Sequence, residues 1–327
     1  MPYKQIGSGD LKYLAATDIL IGDMSNVNYE FLLFDKPIIQ LANRWLRENY
    51  PDIGIKTDLA GLEDAIKRSL DNPDEYKEQR EHWLKKTIHQ PDGLSSKRCL
   101  NTILERSEIT RPEFVFIHGN NSVCRWSLEP LVAEAEQRDL RTSFVAMVKK
   151  NRGQSDTIYV AAHVVHLNIS GGYKVHFDHG LKGKGTTNVE AARASYEKEG
   201  YFPLIDLHIT EGEMSFEKTQ IFVGPYKDRV VMVGSPKSDY LLKLNTEENK
   251  VSVYKELGFH ISKPLITYAP AGKESYIKPG GSLSREVIDK LKEIASRYDY
   301  NILIKLKYPR GIIILQALNK LRRMLQI

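Results

Sequence analysis

The chain reads as an α/β protein built on mainly parallel sheets. Three observations predict this: short apolar runs of strand length, helical periodicity between them, and polar or glycine-bearing turns where the runs end. The clearest case is Asp18 to Leu41, DILIGDMSNVNYEFLLFDKPIIQL. Ile19–Ile21 is a buried strand, Gly22–Asn26 a sharp polar turn, Val27 to Phe34 an amphipathic helix, and Pro37–Leu41 a second buried strand. Ser25 or Asn26 would cap the helix and leave backbone N–H groups at the carboxyl edge of the sheet. Open α/β sheets hold ligands at that edge, and a helix start favours an anion there. The same residues are also the ordinary chemistry of a plain strand-to-helix cap.

Length and composition narrow the class. At 327 residues there is room for two domains, and 41 % hydrophobic with 27 % charged residues is globular. No run approaches the roughly 20 apolar residues of a membrane span, and the first residues are not a signal peptide. The net charge of +5 is spread along the chain, with no basic block interleaved with aromatics, which argues against nucleic acid. A mild basic excess suits a small anionic ligand or an anionic membrane face. Cys99 and Cys124 lack metal-type spacing and read as free thiols of a reducing cytoplasm.

In chain order, Tyr3–Ile6 is a short strand and Asp10–Ala16 a short helix, so the chain enters a domain in its middle. After the polar loop 43–57 come helices at 59–70 and 73–87, broken at Asp71-Asn72-Pro73, then a helix at 95–107. Glu63, Asp64, Lys67 and Arg68 form a solvated face with i,i+4 pairing. Residues 107–112 are the linker. A second β-α-β unit follows: strand Glu113 onward, a polar turn carrying His118 and Asn120, helix 128–137 and strand 142–148. His118 lines a crevice under this fold, or is a satisfied turn histidine. In 157–169, His163 and His166 stand three apart, on a strand or a helix. No Asp, Glu or Cys completes a ligand set, so no metal is expected.

The stretch YKVHFDHGLKGKG, 173–185, is the second informative one. A strand runs into Asp178-His179-Gly180, then glycines alternating with Lys182 and Lys184. Glycine lets backbone approach a ligand, lysine neutralises anionic oxygens, and a strand-end histidine can move a proton. Strands are expected at 204–209, 220–223 and 230–233. The last leads into GSPKSDYLL, where Lys237 can reach an anion and Ser238 or Asp239 caps the next helix. Around Gly258 a new unit begins: strand and turn KPLITYAPAGKES, helix 284–298, strand NILIKLKYPRG, and an amphipathic tail helix from 312.

Together "ILIGDMSNVNYEFLLFDKPII", "FDHGLKGKG", "VVMVGSPKSDYLL", "PLITYAPAGKES" and "NILIKLKYPRG" resemble the CDP-glycerol glycerophosphotransferases, the teichoic acid polymerase family. The resemblance implies the GT-B arrangement of two Rossmann-like domains. It implies a general base at His179, and substrate contacts at Asp178, Gly180, Leu181, Lys182, Lys237, Ala271, Gly272, Lys305, Ser25, Asn26 and Glu30. It also implies transfer of glycerol phosphate from CDP-glycerol to the hydroxyl end of a lipid-linked polyol-phosphate acceptor. That chemistry calls for no cofactor and sits at the inner face of the cell membrane. CDP-ribitol or a nucleotide sugar is the alternative donor.

Three features depart from the family. Lys307-Tyr308-Pro309 stands where the family has His-Pro, and Ala271-Gly272-Lys273 where it prefers Thr-Trp-Arg. Both changes fall on the donor-phosphate side and support a further alternative, an inactive nucleotide-binding fragment. The segments are also out of the family's order, permuted or truncated. Residues 1–106 then hold the second half of a donor domain, 112–255 the domain with the HG loop, and 256–327 the first half of a donor domain. Each half alone would expose a parallel edge, so 1–106 and 256–327 are expected to pair, whether or not the chain is a piece of a longer protein with tandem modules.

Overall fold

A computed structural model describes residues 3–6, 11–23, 25–42, 47–48, 50–120, 122–149, 153–177, 202–270 and 285–305. The strands, in chain order, are β1 Tyr3–Ile6, β2 Ile19–Gly22, β3 Ile38–Leu41, β4 Ile55–Thr57, β5 Glu113–Ile117, β6 Arg141–Val145, β7 Thr157–Ala161, β8 Tyr173–Phe177, β9 Leu207–Thr210, β10 Val230–Met232, β11 Leu265–Tyr268 and β12 Asn301–Lys305. The chain divides into two compact units, residues 1–31, 35–79 and 245–327 in the first, 32–34 and 80–244 in the second.

The first unit holds a parallel sheet in the order β1-β12-β11-β2-β3-β4. Its central pair joins the two ends of the sequence: Ile266 lies against Ile19 and Tyr268 against Ile21. Counted from β11 through β12 and on from β1, the spatial order is 3-2-1-4-5-6, that of a doubly wound Rossmann-like sheet. The strands alternate between faces, as the period of two requires. Ile19, Ile21, Ile266, Ile302 and Ile304 pack under helices Leu62–Asp71 and Arg285–Arg297. Leu265 and Leu303 pack on the other side against helices Leu11–Ala16 and Glu247–Leu257.

Asp18 ties these pieces together. Its carboxylate accepts the N–H of Leu265 at 2.8 Å, the hydroxyl of Tyr254 at 3.0 Å and the Lys250 ammonium at 2.9 Å. Glu63, expected on a solvated face, instead holds two helices together. Lys67 reaches it at 3.2 Å within its own helix, and Arg297 at 2.8 Å and the Tyr298 hydroxyl reach it from the other.

The second unit carries another parallel sheet, β10-β9-β8-β7-β5-β6. Phe114, Phe116, Ile158, Val160, Val175 and Phe177 form its main core with helices Ser95–Ser107 and Ser122–Gln137. Cys99, Leu100 and Ile103 of the first of these helices belong to that core. The helix therefore packs with the second unit, and the division falls at residue 79 instead of the linker at 107–112. Both cysteines are buried free thiols, and burial holds Cys124 up at about 11, so neither is a nucleophile at neutral pH.

Three local expectations change. Residues 220–223 are not a strand but the end of helix Glu213–Val223, which begins where the Ser215 hydroxyl accepts the N–H groups of Glu211 and Gly212, both at 3.1 Å. Asp239 does not cap its own helix, Pro236–Leu244. Its carboxylate accepts the N–H groups of Ser95 at 3.0 Å and Ser96 at 2.7 Å, capping a helix whose own preceding residue, Leu94, supplies no side-chain cap. The helix after β2 is short: Val27–Phe31 is α-helical and Leu32–Phe34 a 3-10 turn. Among the described residues no helix is long and apolar enough to cross a membrane.

Candidate functional site

In a sheet ordered 3-2-1-4-5-6 the strand order reverses between the first and fourth strands, and the ligand crevice opens beyond their carboxyl ends. In the first unit these are β11 and β2. The residues that emerge there are Tyr268 from β11 and Gly22, Asp23 and the following turn from β2.

The turn is tightly built. Asn28 lies fully buried under it and donates from Nδ2 to the Asp23 carbonyl at 2.6 Å. A Cβ on Gly22 would stand 2.0 Å from Asn28 Oδ1, so only glycine lets the chain turn over this side chain. The first helical turn closes through Asn28 N–H to the Ser25 carbonyl at 3.1 Å and Tyr29 N–H to the Asn26 carbonyl at 3.0 Å. Ser25 Oγ meets the Val27 N–H only at 3.5 Å, the outer limit of a hydrogen bond. Among the described residues, the Asn26 N–H has no acceptor and the Val27 N–H only this distant one. A five-residue helix contributes little macrodipole, so anion affinity here rests on those N–H groups.

Around the turn the interior is polar. Asp23 is 1 % exposed, and burial, with the Asp23 charge adding to it, drives the Tyr268 hydroxyl upward. Burial also raises Tyr50, with Tyr29 and then Asp23 adding to it, and holds Tyr29 at about 12. Gln40 stands opposite Gly22 on β3. Asn26 Oδ1, Asn28 Oδ1, Gln40 Oε1 and the Tyr268 hydroxyl are all buried without a hydrogen-bond partner among the described residues. Each such group costs about 1–3 kcal/mol if nothing satisfies it. They lie near the carboxyl edge of one sheet, Tyr268 on the face of Ile21 and Ile266 and Gln40 on the other, and unmet groups of this kind suit a polar ligand or water.

Of the residues expected in the site, Ser25, Asn26 and Glu30 share this one turn, with Glu30 buried on its helix. Lys305 ends β12, separated from β2 by β11. Lys237 is buried in the first turn of helix Pro236–Leu244 in the second unit. His179, Asp178, Gly180, Leu181, Lys182, Ala271 and Gly272 lie outside the described residues. Asp23, Gln40 and Tyr268 were not anticipated. The available sequence signal was the position of Asp23 and Tyr268 at the ends of apolar runs. Among the described residues no group of three or more His, Cys, Asp or Glu side chains can hold a metal ion.

Comparison with known proteins gives one family. Residues 10–105, less than a third of the chain, match the model described as CDP-Glycerol:Poly(glycerophosphate) glycerophosphotransferase. The matched span contains β2, the turn, β3 and β4. No curated protein and no solved structure matches the chain.

Proposed function

We propose, from the match of residues 10–105 to the CDP-glycerol:poly(glycerophosphate) glycerophosphotransferase model, that the chain transfers glycerol phosphate from CDP-glycerol to the terminal hydroxyl of a polyol-phosphate chain. The observation that carries this reading is that the family match includes β2 and its turn, with Asp23 and Asn26 at the carboxyl edge where the strand order reverses.

In this reading the turn 25–30 takes the donor. The Asn26 and Val27 N–H groups face a phosphate oxygen, and Ser25 and Glu30 take hydroxyls of the nucleoside. His179 accepts the acceptor's hydroxyl proton as that oxygen attacks the β-phosphorus. The bond from the β-phosphorus to the bridging oxygen breaks, its electron pair stays on the α-phosphate, and CMP leaves. The family resemblance supports Lys182, Lys237 and Lys305, with Asp178, Gly180, Leu181, Ala271 and Gly272, as further donor contacts. Positioning and electrostatics of this kind supply most of the catalysis in phosphoryl transfer. The acceptor is lipid-linked, so the enzyme works at the cytoplasmic face of the membrane as a peripheral protein. The net charge of +5 supports that location.

The test is CMP release from CDP-glycerol in the presence of a short polyglycerol-phosphate primer. His179→Ala should abolish release while calorimetry shows CDP-glycerol still bound; undiminished turnover would remove His179 from the mechanism. Thermal-shift comparison of CDP-glycerol, CDP-ribitol and UDP-sugars identifies the donor. Stabilisation by CDP-glycerol alone is expected, and stronger stabilisation by either rival would reassign it.

A further inference from the structure

The second sheet has its own reversal. β6 lies on one side of β5, and β7 and all later strands of the unit lie on the other. Numbered within the unit, the order is 2-1-3-4-5-6, whose crevice opens beyond the carboxyl ends of the first and third strands, here β5 and β7. His118 follows β5 directly, and His166 lies in the 3-10 turn Val164–Leu167 after β7. One imidazole comes from each side of the crevice.

Gly119 brings them together. It has φ +61°, and a Cβ there would fall 2.0 Å from His166 Nε2, so the His166 ring rests on the backbone next to His118. The other side of His118 meets the Phe144 ring edge-on, with centroids 4.9 Å apart. The Arg125 guanidinium lies 5.4 Å from that same ring and pairs with Glu129, and the His163 ring is 5.8 Å from His166. Among the described residues, these are the titratable and charged groups that the contacts place near the pair.

Both imidazoles are only partly exposed, yet among the described residues neither makes a side-chain hydrogen bond. Partly buried ring nitrogens without partners at a sheet's crevice are open to a ligand. Burial first, and then the neighbouring His118, lower the pKa of His166. An anion set across the two rings would offset both causes by favouring the charged imidazoles.

We propose that His118 and His166 form a phosphate-recognition site in the second unit, occupied by a phosphodiester of the acceptor chain. The choice of occupant rests on the glycerophosphotransferase reading, since a poly(glycerophosphate) acceptor presents such diesters along its length.

The experiment titrates the full chain with inorganic phosphate, with diglycerol phosphodiester and with CMP, at about pH 6 and about pH 8. Histidine Cε1–H resonances are followed by NMR. The diester should shift the His118 and His166 resonances, binding about tenfold more tightly at the lower pH. His166→Asn should remove the diester-induced shift of His118. If CMP shifts the pair at lower concentration than the diester, the acceptor assignment is overturned. If none of the three probes moves either resonance, the site itself is overturned. The wild-type titration decides this even if a variant fails to fold. Unchanged turnover of His179→Ala would leave this titration intact, so the two failures are distinguishable.

Discussion

Asp18 accepts a hydrogen bond at 2.8 Å from the backbone N–H of Leu265, a residue 247 positions further along the chain. The same carboxylate holds Tyr254 and Lys250, so one side chain fixes the seam between β2 and β11. Asp18→Ala should therefore destabilise the first unit by about 3 kcal/mol, because it strips a partly buried N–H and hydroxyl of a charged acceptor. Asp18→Asn should lose less. Denaturant unfolding measures both, and equal stability of wild type and Asp18→Ala would show the seam to be held by the strand ladder alone.

Gly22 and Asn28 should behave as one unit. Gly22→Ala places a methyl against the Asn28 amide and should cost about 1–3 kcal/mol. In a Gly22→Ala, Asn28→Ala double variant the space is returned, so the combined loss should be smaller than the sum of the single losses. Strict additivity would mean that the backbone, not Asn28, requires the glycine.

Tyr268 separates folding from binding. Its hydroxyl is buried without a partner among the described residues. Tyr268→Phe should stabilise the ligand-free protein by about 1 kcal/mol while weakening CDP-glycerol binding several-fold. Calorimetry and thermal unfolding on one preparation test both halves. Unaltered affinity would remove Tyr268 from the donor site.

Glu63 predicts a particular acid response. Its hydrogen bond from Tyr298, then that from Lys67, hold its carboxyl at about 2, below the ordinary 4.5. A depressed carboxyl stabilises the fold above its ordinary value and loses that contribution as pH falls toward the folded one. Wild type should thus lose thermal stability between about pH 4.5 and 2 more steeply than Glu63→Gln. Parallel melting curves across that window would show that Glu63 is not coupled to folding.

Much of the first unit could be read in the sequence because its strands are near-continuous apolar runs: Ile19–Ile21, Ile38–Leu41 and Leu265–Tyr268 are buried on both faces. β4 could not, since Ile55-Lys56-Thr57 is three residues long and owes its strand conformation to pairing with β3. The run 220–223 misled because a short apolar segment fits a helix end as well as a strand, and only Phe222 and Val223 are buried there. The cap that Asp239 gives to Ser95 lies beyond local pattern, as partners 144 residues apart leave no periodic trace. In the turn after β2, Ser25 and Asn26 followed from turn chemistry, and Glu30 only from the family resemblance. The buried Gln40 and Tyr268 depend on which strands become neighbours, which composition does not specify.

The pairing of β2 with β11 also sets a timetable. During translation the ribosome releases β1 to β4 some two hundred residues before β11 and β12 emerge. Through that interval an isoleucine-rich edge waits for its mate, while the second unit, whose strands all lie between Arg80 and Leu244, has every strand it needs. The nascent chain should hence mature inside out, with the middle of the polypeptide settling first. Chaperones would meet the exposed flank of β2 until the closing strands arrive.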